Sequence, residues 1–487
     1  MSENLIASSK TAIVQDISLQ ISNPSELEYK LNNSFTAHIE SPCNIHMKLT
    51  DKFIVFSSLK ILYALIKMLE TLNPKLFKHH HLKTALISRI LNQDIFKGPN
   101  AFVWRQKVTR ACLLHHLGLF LTMGGDISRQ FALQPHKLLV KVWKQNNSVK
   151  NSFLIGSSFL RGLTDPALSA LHPIIFGCAF SWNDLKQINR RECINSPVLT
   201  EYEIMASSIV QLSSRISFSH AINDIVGDLQ QRILRDIKHC LQNGIIAPDV
   251  AASAHTLFSR RQDIWLDLEY PEKWESEILQ AVEQPTSYTA DNIYDFFFSL
   301  TDIIESRSSF TKDHTVGVTC VVQAFAKAIG ASELEAQKLK LAAIMHDIGK
   351  IAIPLHILHK QGKLTPQEWK KIKEHVYMPY LFMKDVFPPE LHSVLTTASL
   401  HHERLDGSGY PWGLKHESIP LGARILQVAD MFSALLEHRP YKKPLSFHET
   451  VELLQQDMKQ NKIWKGITSQ AFDWAYESLR NIFPHLH

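Results

Sequence analysis

Residues 391–411 read Leu-His-Ser-Val-Leu-Thr-Thr-Ala-Ser-Leu-His-His-Glu-Arg-Leu-Asp-Gly-Ser-Gly-Tyr-Pro. Leu391, Val394, Leu395 and Ala398 recur at helical spacing, and continuing that stripe reaches His401 and His402. Two adjacent imidazoles are therefore expected at the buried end of a helix. Asp406 begins a turn in which Gly407 and Gly409 permit backbone angles closed to other residues. Neutral imidazoles and carboxylates are what a divalent transition metal takes when its site must stay open to water and substrate. A polar turn with satisfied histidines would look the same in isolation, so the rest of the chain decides.

Other histidines and aspartates recur at comparable places. A helix is expected from about Thr311 to Ile329, with Val318, Val321, Val322, Phe325 and Ile329 as its apolar stripe and His314 at its head. Gly330 ends it, and Ser332 with Glu335 makes a capping box for the next helix. There Leu339, Ala342 and Ala343 lead into His346, followed by Asp347, whose two oxygens suit it to bridge two ions. Thr365, Pro366 and Glu368 start another helix, with His375 one turn after Ile372. The nearly all-apolar run Ala423–Leu436 carries one carboxylate, Asp430, which would be costly to bury unless paired or on a metal. Inward histidines and aspartates on separate helix ends predict a metal cluster.

Bulk properties set the frame. At 487 residues there is room for two or three domains. From about residue 52 onward the text is almost continuously helical, without strand runs bounded by hairpin signals, so the expected class is all-α. Residues 1–51 read as an irregular arm, 52–282 as a front domain, 283–295 as a polar linker and 296–487 as the catalytic domain. The net charge of +5 is small for this length and argues against a nucleic-acid polymer as partner. Six cysteines without paired spacing (43, 112, 178, 193, 240 and 320) fit a reducing compartment. The first residues lack a basic region followed by an apolar core, so no signal peptide is expected. The most membrane-like run, Phe53–Leu69, is broken by Lys60 and Lys67 and reads as an amphipathic helix. The expected setting is cytoplasmic, without a membrane partner.

The order His314, His346-Asp347, His375, His401-His402, Asp430 resembles the HD superfamily of metal-dependent phosphohydrolases. The string from His401-His402-Glu403 to Asp406-Gly407-Ser408-Gly409-Tyr410-Pro411 resembles the motif of its HD-GYP branch, the cyclic di-GMP phosphodiesterases. Further matches are Ile348-Gly349-Lys350, Lys363-Leu364-Thr365, Ile419-Pro420 and Arg439-Pro440-Tyr441-Lys442, so the resemblance runs from about Asp302 to Leu454. It implies one metal on His314, His346, Asp347 and Asp430, and a second on Asp347, His375, His401 and His402. Asp347 would bridge them, Asp406 would support the second metal or its loop, and Gly407 and Gly409 would support the loop. Some members hold a third ion with a Glu four residues before the first His. Phe310 stands there, so two divalent ions, iron or manganese, are expected. His375 is followed by Val376 where the family usually has Pro, which leaves the ligand intact. Such a pair lowers the pKa of a shared water. Asp347 and Lys350 are the expected catalytic residues. Lys350, Tyr410, Arg439 and Lys442 are expected to meet the substrate's phosphates and a guanine base.

The front half reads as a worn copy of the back half. Ala111–Leu119 aligns without gaps on Ala342–Lys350, with His116 in place of Asp347 and Leu119 in place of Lys350. His81 falls near the position of His314, and Ile209–Ser214 overlays Ile425–Asp430 with Ser214 in place of the aspartate. With the bridging and buried aspartates gone, a binuclear site cannot assemble. The expectation is a degenerate HD-like regulatory domain whose His115 and His116 contribute nothing to metal content.

The function expected is hydrolysis of cyclic di-GMP to linear pGpG, with a second cut to GMP left open. The alternatives are a cyclic GMP-AMP phosphodiesterase, since some relatives with a degenerate domain in front have that activity, and a non-catalytic cyclic dinucleotide receptor or scaffold. A nucleotide phosphohydrolase of the wider HD class is disfavoured by the Gly-Tyr-Pro loop. A homodimer or a signalling protein is the partner class left open.

Overall fold

Serine and threonine at helix entrances set the frame of the back half. In the computed structural model, Ser332, Thr365 and Ser446 each accept a hydrogen bond from the backbone N–H three residues on, and Glu335, Glu368 and Glu449 bond back to the cap. The residues described are 54–70, 77–119, 147–163, 165–188, 198–221, 226–261, 263–283, 286–306, 314–437, 443–480, 482–483 and 486. The expected N-terminal arm 1–51, Phe310, Arg439 and Lys442 lie outside them.

The described residues are all-α, apart from two three-residue strands, Ile54–Phe56 and Thr286–Tyr288, that pair with each other. The chain divides into a front unit, Ser57–Thr286, and a back unit of Ser287–His487 with Ile54–Phe56. This division falls inside the segment read as a linker, but from residue 286 onward that segment is regular structure. Thr286–Tyr288 is a strand, and a helix begins at Ala290, capped where the Asn292 N–H donates to Thr289 Oγ1 at 3.3 Å. The polar letters there start a helix.

The helices that carry the front unit are α1 (Ser58–Glu70), α2 (His80–Ile95), α3 (Ala101–Leu114) and α4 (Glu201–Ala221). The helix read as amphipathic, α1, is buried nearly all round, with Lys60 and Lys67 alone half-buried. Its two lysines reach out of the core, Lys60 to Glu283 and Lys67 to Glu275, each at 2.7 Å. Among the described residues no helix is long and apolar enough to cross a membrane.

The back unit uses α5 (Ala290–Ser306), α6 (His314–Ala328), α7 (Glu333–Met345), α8 (Pro366–Met383), α9 (His392–Ser399) and α10 (Leu421–Leu436). Val318, Val321, Val322 and Phe325 of α6 are fully buried, worth about 1.5–3 kcal/mol each in apolar transfer. They pack α6 against α7 and α10, and α7 also touches α9 and α10. A 3-10 turn, Ile348–Ala352, lies against α8. The frame brings the start of α6, the end of α7, the middle of α8, the end of α9 and the middle of α10 to one place.

Candidate metal centre

His314 is the first residue of α6, and His346 and Asp347 follow the last turn of α7. Nε2 of His314 and Nε2 of His346 lie 3.4 Å apart. Asp347 Oδ2 is 3.3 Å from His346 Nε2 and 3.7 Å from His314 Nε2, while its Oδ1 is 3.4 Å from His375 Nε2. The two carboxylate oxygens thus face two different sets of imidazoles. Asp430 completes the ring, with Oδ1 at 3.2 Å from His314 Nε2 and Oδ2 at 3.9 Å from His402 Nδ1. His375, His401 and His402 form one group able to hold an ion, and His314, His346 and Asp347 another.

The imidazoles are oriented from behind. His346, His375 and His401 each place Nδ1 2.6 Å from the carbonyl three residues earlier, that of Ala343, Ile372 and Ala398. A carbonyl only accepts, so Nδ1 carries the proton and Nε2 presents a lone pair to the centre. Nε2 of His375 and Nε2 of His401 are buried with no hydrogen-bond partner. Lone pairs turned into a closed space without a donor fit a cation, and this donor set of nitrogen and carboxylate oxygen suits a divalent transition metal.

Electrostatics point the same way. Burial pushes His375 down to about 4 and His402 to about 3, and His401 well below its ordinary value, so these rings are neutral. Burial would lower His314 too, but Glu437 and Asp430 override it and push it up to about 10. The carboxylates that hold a proton there would hold a metal cation in its place. Burial would raise Asp347, yet His346 and Lys350 keep its carboxyl well below the usual range.

Two carboxylates escaped the sequence reading. Glu437, buried just past α10, takes His314 Nδ1 at 2.8 Å and the Ser433 hydroxyl at 2.6 Å, fixing the His314 ring. Glu403, also buried, accepts from the N–H of Trp412 at 2.7 Å and of Leu414 at 2.9 Å. It ties the far side of the glycine loop back to the segment that carries His401 and His402. The Glu403→Ala variant should lose the loop's anchor and about 1–3 kcal/mol of stability, because two part-buried N–H groups lose their acceptor. Glu403→Gln, which keeps one carbonyl acceptor, should lose less. Thermal unfolding of the two variants checks this, and equal midpoints at the wild-type value would refute it.

Asp406 is exposed; its Oδ1 accepts from the Ser408 N–H at 2.9 Å and hydroxyl at 2.7 Å. Its role is to close the turn, with Gly407 at φ +83° as a left-handed position. Tyr410 packs on His402 with ring centroids 4.7 Å apart, and Trp369 meets it edge-on at 5.7 Å. Lys350 Nζ contacts Asp347 Oδ2 at the rim.

The front unit repeats part of this frame. His115 Nδ1 is 2.7 Å from the Cys112 carbonyl, and His115 Nε2 is 3.3 Å from Nε2 of His80, the first residue of α2. His80, and not His81, therefore occupies the place of His314. His81 turns instead to Glu70, with Nδ1 at 2.7 Å.

Comparison with known proteins follows the same outline. Residues 299–463 match the family described as HD domain. The chain is 27% identical to the 3'3'-cGAMP-specific phosphodiesterase 1 of Vibrio cholerae over 78% of this chain and 83% of that protein. It is 40% identical to a cyclic di-GMP phosphodiesterase of Thermotoga maritima, over 32% of this chain and 43% of the relative. The crystal structure of a cyclic GMP-AMP-specific phosphodiesterase of V. cholerae, V-cGAP3, has the same fold at a TM-score of 0.52. It is 18% identical and covers 89% of this chain and 99% of its own.

Proposed function

Because this chain belongs to the HD-domain superfamily of metal-dependent phosphohydrolases, we propose that it hydrolyses a guanine-containing 3'3'-cyclic dinucleotide at one phosphodiester bond. The observation that carries the reading is Asp347, whose two oxygens face two separate sets of imidazoles, with the buried Nε2 atoms of His375 and His401 unpartnered beside it. His314, His346, Asp347 and Asp430 would hold one divalent ion; Asp347, His375, His401 and His402 would hold the other. Bound there, the pair would lower the pKa of a water enough to supply hydroxide near neutral pH.

The chain's own residues do the rest. The carbonyls of Ala343, Ile372 and Ala398 and the Glu437 carboxylate fix four imidazole rings before any ligand arrives, so little reorganisation is needed. Lys350 supplies a fixed positive charge at the reacting phosphate. Tyr410 and Trp369 form an aromatic wall against which a purine stacks. The front unit is read as a degenerate HD-like copy, retained for regulation or support.

Cyclic di-GMP is the first substrate reading. A second, 3'3'-cGAMP, is favoured by one observation: a relative whose similarity extends over most of both chains carries that specificity in its name. The deciding experiment incubates the iron- or manganese-loaded full chain with cyclic di-GMP, 3'3'-cGAMP and cyclic di-AMP and separates the products by chromatography. Linear dinucleotide from the guanine-containing substrates is the expected result, and the ratio of kcat/KM assigns the preference. Tight binding without product from any of them would replace hydrolysis by a receptor role.

A further inference from the structure

We propose that the front unit holds one divalent transition-metal ion between ring nitrogens of His80, His115 and His116, a closed site that stabilises this unit and takes no part in hydrolysis. The proposal replaces the expectation that these histidines contribute nothing to metal content. It rests on three observations.

The first is placement. One ring nitrogen from each of the three residues lies within 4.8 Å of one from the others. His80 opens α2 and His115-His116 follow α3, on helices that pack on each other and on α4. The Nε2–Nε2 separation of His80 and His115, 3.3 Å, repeats the 3.4 Å of His314 and His346.

The second is proton accounting. His115 Nδ1 donates to a carbonyl, so its Nε2 is a lone pair. His80 Nδ1 lies 3.0 Å from Ser217 Oγ, whose hydroxyl is directed at the His80 carbonyl at 3.2 Å. Nδ1 is then the donor in that pair, and Nε2 is a lone pair too. The Ser214 hydroxyl, 2.9 Å from His115 Nε2 and 3.4 Å from His80 Nε2, has one proton for two acceptors. His116 Nδ1 is buried with no hydrogen-bond partner. A purely packed stack of imidazoles would leave ring nitrogens in this cluster unserved, at the usual cost of burying unsatisfied polar atoms. One cation serves all of them.

The third is closure. His80, His115 and His116 are 1%, 1% and 4% exposed, and Leu119, fully buried, stands where the back unit has Lys350, so no substrate phosphate can enter. Three neutral nitrogen donors, with Ser214 Oγ or a water as the fourth, suit zinc-like ions over oxygen-seeking magnesium or calcium. A single ion fits because no aspartate bridges here.

The test uses the full chain with the back centre disabled by His314→Ala, Asp347→Ala, His375→Ala, His401→Ala and Asp430→Ala, so that its outcome is independent of catalysis. Metal-stripped protein is loaded with Zn2+, desalted and measured by elemental analysis, and in parallel titrated with Co2+ and read by visible absorption. One retained zinc, the d–d bands of low-coordinate cobalt, and a Zn2+-dependent rise in melting temperature are expected. Adding His116→Gln should remove all three, with the helical circular dichroism unchanged. No retained zinc and no cobalt bands in the folded back-disabled chain would overturn the proposal. So would metal retention that His116→Gln and His115→Ala leave untouched.

Discussion

The Asp347→Ala variant is expected to lose turnover by roughly 10³-fold or more, at or above the upper end of the range for removing a single preorganised electrostatic contact. That corresponds to about 4 kcal/mol of transition-state stabilisation. The magnitude follows from geometry. Oδ2 lies 3.3 Å from His346 Nε2, and Oδ1 lies 3.4 Å from His375 Nε2, so one side chain serves both halves of the centre. Removing it also takes away the anionic charge that neighbouring His346 and Lys350 surround. The helices on either side keep their caps and apolar contacts, so unfolding should remain cooperative. Metal content should fall clearly below wild type in the same preparation. Near-wild-type kcat, or an unchanged metal count, would sink the two-ion reading.

How much of this was legible from letters depends on the range of the interaction. Capping boxes at Ser332 and Thr365 are local, and they appear where the sequence put them. The candidate ligand histidines were legible because each adjoins its own apolar stripe, although His375 lies inside α8 and not at a helix end. Glu437 was not, because its partner His314 is 123 residues away and only the packing of α6 on α10 joins them. Glu403 lay inside the quoted motif, yet its task depends on a turn that brings the Trp412 and Leu414 N–H groups back to it. The front unit shows a subtler failure. Three consecutive histidines, 79–81, span the start of the helix, and spacing alone could not choose among them. The choice is made by His79, whose left-handed backbone at φ 56° starts α2 at His80 and directs His81 toward Glu70. Segment 283–295 misled for a related reason, since residues favoured in linkers also begin helices.

A methyl group added at Gly349 is expected to damage the centre without altering any ligand. Gly349 lies in the 3-10 turn directly after Asp347, pressed against α8. A Cβ there would collide with the His375 carbonyl oxygen and sit 2.7 Å from its carbonyl carbon and 2.9 Å from its Cα. All three atoms belong to the backbone, so no rotamer change relieves the overlap; the turn and α8 must move apart. Overpacking of this kind costs about 1–3 kcal/mol of stability. The functional cost is expected to be larger, because the same displacement separates Asp347 Oδ1 from His375 Nε2, now 3.4 Å apart. A misplacement of about 1 Å in a catalytic arrangement is worth roughly 10²-fold in rate. In Gly349→Ala, kcat should therefore fall by about that factor. The ion on the His375 side should be retained more weakly than the ion on His314, His346 and Asp430. A variant with wild-type kcat and wild-type metal retention would show that the close approach of this turn to α8 does not set the spacing of the centre.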